Sequence, residues 1–130
     1  MTPDSENWLK IAKYDLDVAQ STFKNGYFLK VVENCHSSLE KLLKGILIEQ
    51  TDSVPPKIHD LLKLVSLTVI ENLQDDTVKL LDELNDLYIS TRYPEDFDML
   101  VEKMTEEKVH KILHRTKGVY KWLLSQIEKA

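Results

Sequence analysis

Apolar residues recur at helical spacing along most of the chain, and the strongest such stretch lies in its first half. At about 100° per residue, Val31, Val32, Cys35, Leu39, Leu42, Leu43 and Ile46 fill one broad arc of a helix expected over roughly Leu29 to Gln50. A polar ridge runs beside that arc, with His36, Glu40 and Lys44 spaced four residues apart. His36 falls just inside the arc, Glu40 on its border and Lys44 further toward solvent. A helix that only filled a core would not need such a ridge.

The remaining elements follow from the same periodicity and its interruptions. Thr2 before Pro3 is a start signal, because proline fits the first helical position and threonine can cap the free amides. The first helix then runs to about Lys24 on a stripe of Trp8, Ile11, Ala12, Leu16, Ala19 and Phe23, and Asn25-Gly26 ends it by the left-handed route. Asp15 projects near the middle of that stripe, so it should meet a cation or donors from another helix. Thr51 to Lys57, with Pro55-Pro56, reads as a linker. A short third helix is expected from about His59 to Ile70, with Leu61, Leu62, Leu64, Val65 and Leu67 as its apolar positions. Asp75 or Asp76 can cap a fourth helix, running through Leu80, Leu81, Leu84, Leu87 and Tyr88 to about Thr91, with Pro94 as its stop. Arg92 to Asp98 is expected to be a turn or extended connection. Thr105, followed by Glu106 and Glu107, opens the last helix, whose inner face is Val109, Ile112, Leu113, Val119, Tyr120, Leu123 and Ile127.

Four long helices and one short one, with no repeat, predict an all-α, up-and-down antiparallel four- or five-helix bundle forming a single domain over residues 1–130. The composition agrees: 130 residues suffice for one core, and three glycines and four prolines leave long helices as the natural reading. No apolar run approaches the roughly 20 residues of a membrane span and none resembles a signal peptide, so a cytoplasmic protein is expected. The lone Cys35 rules out an internal disulfide framework and sits in an apolar arc. A net charge of −5 argues against sequence-blind nucleic-acid binding. Charge is nonetheless uneven: Lys108, Lys111, Arg115, Lys117 and Lys121 fall in a stretch without acids, whereas Leu73 to Asp98 is acidic.

The candidate polar cluster is His36, Glu40 and Lys44, joined by Asp15 from the first helix and Arg92 from the end of the fourth. Two readings are open. The cluster could hold an anionic or nucleotide-like group, or it could be a structural network in which Glu40 and Lys44 form an i,i+4 pair and His36 donates to a neighbouring helix. His110 and His114 also lie four apart, the spacing for two imidazoles on one metal, but no third ligand is evident and Lys117 and Lys121 would repel a cation. No metal and no cofactor is expected.

Three short segments then fall together: Glu40-Lys41-Leu42-Leu43-Lys44, His59-Asp60-Leu61 after the proline linker, and Arg92-Tyr93-Pro94 at the end of the fourth helix. In order and separation they resemble the HEPN domain family, over nearly the whole chain. Lys41, His59, Asp60, Tyr93 and Pro94 are the motif residues beside the ridge. The resemblance implies a helical bundle that dimerises and a prokaryotic partner of small nucleotidyltransferases, similar to the helical substrate-binding domain of kanamycin nucleotidyltransferase. Many members are toxins of toxin–antitoxin pairs and cut RNA without a metal, using an arginine followed by a histidine after four to six residues. Here the chain departs from the family: the positions after Arg92 are Phe97, Asp98 and Met99, and those after Arg115 are Tyr120, Lys121 and Trp122. General acid–base cleavage thereby loses its agent.

The leading expectation is therefore a non-catalytic, homodimeric binding module that pairs with a separate nucleotidyltransferase and contributes to a nucleotide or substrate site. Two alternatives stand beside it. One is a divergent ribonuclease using Arg92 with His36 or His59, and the other a stand-alone nucleotide or small-ligand binding bundle.

Overall fold

A computed structural model describes residues 1–129, and among them there are six α-helices and no strand. Four long helices, α1 (Pro3–Lys24), α2 (Phe28–Thr51), α4 (Asp75–Ser90) and α6 (Glu106–Lys129), pack antiparallel. Two short ones, α3 (Leu61–Leu67) and α5 (Phe97–Lys103), lie in the connections from α2 to α4 and from α4 to α6, with a single 3₁₀ turn at Pro94–Asp96 before α5.

Local chemistry sets most of the boundaries. Thr2 caps α1 by accepting the Ser5 amide at 3.2 Å, with Pro3 opening the helix. Gly26, at φ +81°, turns the chain out of α1, as the Asn25-Gly26 pair predicts. Asp52 ends α2 in the left-handed conformation. At the other end of the chain, the Thr105 hydroxyl accepts the Lys108 amide at 3.2 Å and caps α6.

α2 is the central element. It packs against α1, α3, α4, α5 and α6, which is why its buried face is the widest in the molecule. The predicted arc from Val31 to Ile46 is at most 1 % exposed throughout. It meets Ala12, Leu16 and Ala19 of α1, Leu80, Leu81 and Leu84 of α4, and Val109, Ile112 and Leu123 of α6 in one core. Gly45 lets α1 approach closely, since a Cβ there would come within 3.2 Å of the Trp8 Cβ.

The structure corrects several sequence expectations. α3 begins at Leu61, because the Asp60 carboxylate accepts the Leu62 and Lys63 amides and caps it; His59 and Asp60 therefore stay outside. Its end comes at Leu67, where the Thr68 hydroxyl folds back onto the Val65 carbonyl. The cap residue of α4 is Gln74, and Asp75 and Asp76 occupy the first turn, where their charge suits the helix dipole. The connection expected from Arg92 to Asp98 is largely helical, because Leu100 and Met104 find core positions that hold α5 down. Ile11 and Leu67, counted as inner positions, are 44 % and 40 % exposed. No helix of the described residues is long and apolar enough to cross a membrane.

Candidate functional site

The polar ridge of α2 is built around the Glu40 carboxylate, which is almost fully buried. Its Oε2 accepts hydrogen bonds from Lys41 Nζ and Lys44 Nζ, each at 3.1 Å, and its Oε1 accepts the Nδ1–H of His59 at 2.8 Å. Burial alone would push this carboxyl upward. The hydrogen bonds from His59, Lys41 and Lys44, together with the Lys41 charge, outweigh burial and hold it at about 2.

Lys44 lies inward of its expected position. It is only 6 % exposed, and its ammonium sits 5.6 Å from the centroid of the Trp8 ring. Carboxylate on one side and indole on the other replace the water the ammonium gives up. The i,i+4 pair is thus a buried ion pair, a different object from a solvent-exposed one.

His36 is completely buried. Its Nε2 donates to the side-chain oxygen of Asn85 on α4 at 3.3 Å, a direction assigned from the network. The Asn85 amide is oriented by its neighbours: its oxygen also accepts the Leu61 amide at 3.0 Å, and its nitrogen donates to Asp60 at 2.8 Å. The other imidazole nitrogen, Nδ1, has no hydrogen-bond partner among the described residues and lies 3.9 Å from Glu40 Oε1. Burial pulls His36 down to about 4, against the opposing pull of Glu40, so it is neutral at physiological pH. The Tyr88 ring stacks on it, with centroids 4.1 Å apart.

Tyr88 links the ridge to Arg92. The Arg92 guanidinium carbon lies 4.0 Å from the Tyr88 ring centroid, and the His59 ring lies 5.3 Å from it. The side chain of His59 is 58 % exposed although its Nδ1 is held by Glu40. His59, Asp60, Asn85, Tyr88 and Ile89 line an open cleft of about 450 Å³.

Of the five ridge candidates, His36, Glu40 and Lys44 converge, and Arg92 attaches through Tyr88. Asp15 does not join them: half-buried on α1, it accepts the Ser37 hydroxyl at 2.6 Å, which supplies the donor from another helix that its position requires. Among the motif residues, Lys41, His59 and Asp60 belong to the network. Tyr93 and Pro94 are exposed, Tyr93 in extended backbone and Pro94 opening the 3₁₀ turn. Sequence reasoning misses Asn85 and Tyr88 as polar partners. Their signal is nevertheless present, because Asn85 and Tyr88 stand at i and i+3 on α4, and Arg92 follows at i+7 just past its end.

His110 and His114 are both exposed, and the His110 ring rests 5.6 Å from that of Phe23. Among the described residues no group of three or more His, Cys, Asp or Glu side chains is arranged to hold a metal ion.

Comparison with known proteins agrees with this architecture. No curated protein matches the chain significantly. Among solved structures, the crystal structure of TT1696 from Thermus thermophilus is similar, with 21% identity, a TM-score of 0.81, and coverage of 95% of this chain and 98% of that one. The crystal structure of ST0689, an archaeal HEPN homologue, is also similar, with 21% identity, a TM-score of 0.74, and coverage of 97% and 99%. The HEPN domain model matches residues 5–127, which takes in the α2 ridge, the capped start of α3 and the Tyr88–Arg92 end of α4, and the chain belongs to the HEPN domain family.

Proposed function

We propose that the chain is a non-catalytic HEPN module, a homodimer that docks with a separate minimal nucleotidyltransferase in a toxin–antitoxin type of system and contributes to that enzyme's nucleotide or substrate site. One observation carries this reading: the ridge uses its titratable groups to hold helices together. Glu40 is saturated by three donors, and His36 is buried, neutral and bonded to Asn85. Through Asn85 the same network fixes the first turn of α3. No histidine follows either arginine after four to six intervening residues. The outer side of α4 also carries Asp82, Glu83 and Asp86, which form no ion pair among the described residues and would repel a phosphate backbone. By contrast, Tyr93, Phe97, Met99 and Val101 are each at least half exposed on and beside α5, a surface suited to a protein neighbour.

Affinity purification of the tagged chain from its own organism tests this reading. A nucleotidyltransferase recovered in stoichiometric amount is the expected result, and recovery of the chain alone refutes it.

The ribonuclease reading has one observation in its favour. A carboxylate-held imidazole, Glu40 on His59, lies beside Tyr88 and its Arg92 guanidinium, and a positioned imidazole can move a proton. Growth arrest on overexpression, lost in Arg92→Ala and in His59→Ala, would establish it; unimpaired growth of a strain making the wild-type chain removes it.

A further inference from the structure

Gly118 lacks any structural reason to be glycine. Glycine inside a long helix is destabilising relative to alanine, and its use calls for a positive φ or a close approach. Neither applies here. Gly118 is not among the residues with positive φ, and a Cβ built on it would meet nothing within 4 Å among the described residues, whereas at Gly45 it would press on Trp8. Gly118 instead forms part of the wall of a cleft of about 440 Å³ between the first turns of α4 and the middle of α6.

Arg115, Gly118 and Trp122 stand at i, i+3 and i+7 along that wall. The half-buried Arg115 guanidinium donates to the Asp76 backbone carbonyl at 3.3 Å and makes no ion pair among the described residues. A neutral acceptor therefore fixes its position while further N–H donors stay free. Trp122 is half-buried at the other end of the stripe. On the opposite wall, Gln74 makes no capping bond with its side chain.

We infer that this cleft binds a small planar carboxylate, with its ring lying on Trp122 over the bare Gly118 backbone and its carboxylate forked onto Arg115. A guanidinium is matched to a carboxylate in geometry and charge, and an indole face to a flat ring. Asp76 also lines the cleft, and its charge opposes a dianionic phosphate ester more strongly than a monoanion. The cleft shares no lining residue with the Glu40 ridge or with the cleft beside His59, and it does not depend on the proposed function.

Titration of the full chain with benzoate, followed by amide chemical shifts, tests the inference. The expected result is saturable shifts confined to residues around Gln74–Thr77 and Arg115–Trp122. Arg115→Gln should weaken binding about tenfold, and benzyl alcohol, with the same ring and no charge, should bind about tenfold more weakly than benzoate. Gly118→Leu, which fills the cleft from an open position, should abolish the shifts while far-UV circular dichroism stays unchanged. Absence of saturation, shifts spread elsewhere, or wild-type affinity in Arg115→Gln would overturn it. Should Gly118→Leu misfold, Arg115→Gln decides alone.

Discussion

Replacing Glu40 by glutamine keeps the side chain's shape and removes its charge, leaving the Lys44 ammonium buried without a counter-ion. A carboxyl held at about 2 instead of its ordinary 4.5 contributes about 3 kcal/mol at neutral pH. Breaking a buried ion pair by removing one partner costs roughly 3–5 kcal/mol. Because Glu40 is 2 % exposed and Lys44 6 %, solvent screens the pair little. The pH dependence gives the test its discrimination. The folded-state value is depressed, so the stabilisation is complete above the unfolded value of 4.5 and is lost as pH falls toward 2. Urea unfolding at pH 7 should show Glu40→Gln less stable than wild type by about 3 kcal/mol, and at pH 4 the gap should shrink to about 2 kcal/mol. Adding Lys44→Met should restore at least half of the loss, since removing both charges also removes the stranded one. A loss below about 1 kcal/mol, unchanged between the two pH values, would refute the reasoning, because it is the behaviour of an exposed pair.

Other measurements bear on neighbouring parts of the structure. His36 is held down to about 4 from 6.5, so the unfolded chain takes up a proton first, and stability should fall by about 3 kcal/mol between pH 6.5 and 4; His36→Phe should flatten that window in urea midpoints. Asn85→Leu strands the Leu61 amide and the His36 Nε2–H and should cost about 2–4 kcal/mol in chemical denaturation. Gly118→Ala should stabilise the fold by about 0.5–1 kcal/mol, read as a raised Tm, because the new methyl meets open space. Burial pushes the Cys35 thiol up to about 12, so its labelling by a disulfide reagent at pH 8 should be slow and should follow the unfolding rate.

The bundle is legible from periodicity because α1, α2, α4 and α6 each bury one apolar face over many turns. α5 is not, since its seven residues are too few to show a helical period and most of its apolar side chains, Phe97, Met99 and Val101, stay exposed; the core positions taken by Leu100 and by Met104 just beyond its end hold it down. The spacing of His36, Glu40 and Lys44 shows the ridge but not its depth. The burial of Lys44 depends on Trp8, thirty-six positions earlier and on another helix. The orientation of His36 depends on Asn85, forty-nine positions later. Asp60 acts as a helix cap because its carboxylate meets the Leu62 and Lys63 amides, and that role becomes visible only once α3 is seen to start at Leu61. Asp15 illustrates the opposite outcome. Its need for a donor could be read from its place on α1, but the donor is the Ser37 hydroxyl and not a member of the Glu40 network.

A calorimetric titration of the purified chain into the purified nucleotidyltransferase of the same organism tests the central claim most directly. The account predicts a saturable isotherm of micromolar affinity or tighter, retained in His59→Ala. A flat isotherm, with both proteins shown to be folded, would contradict it.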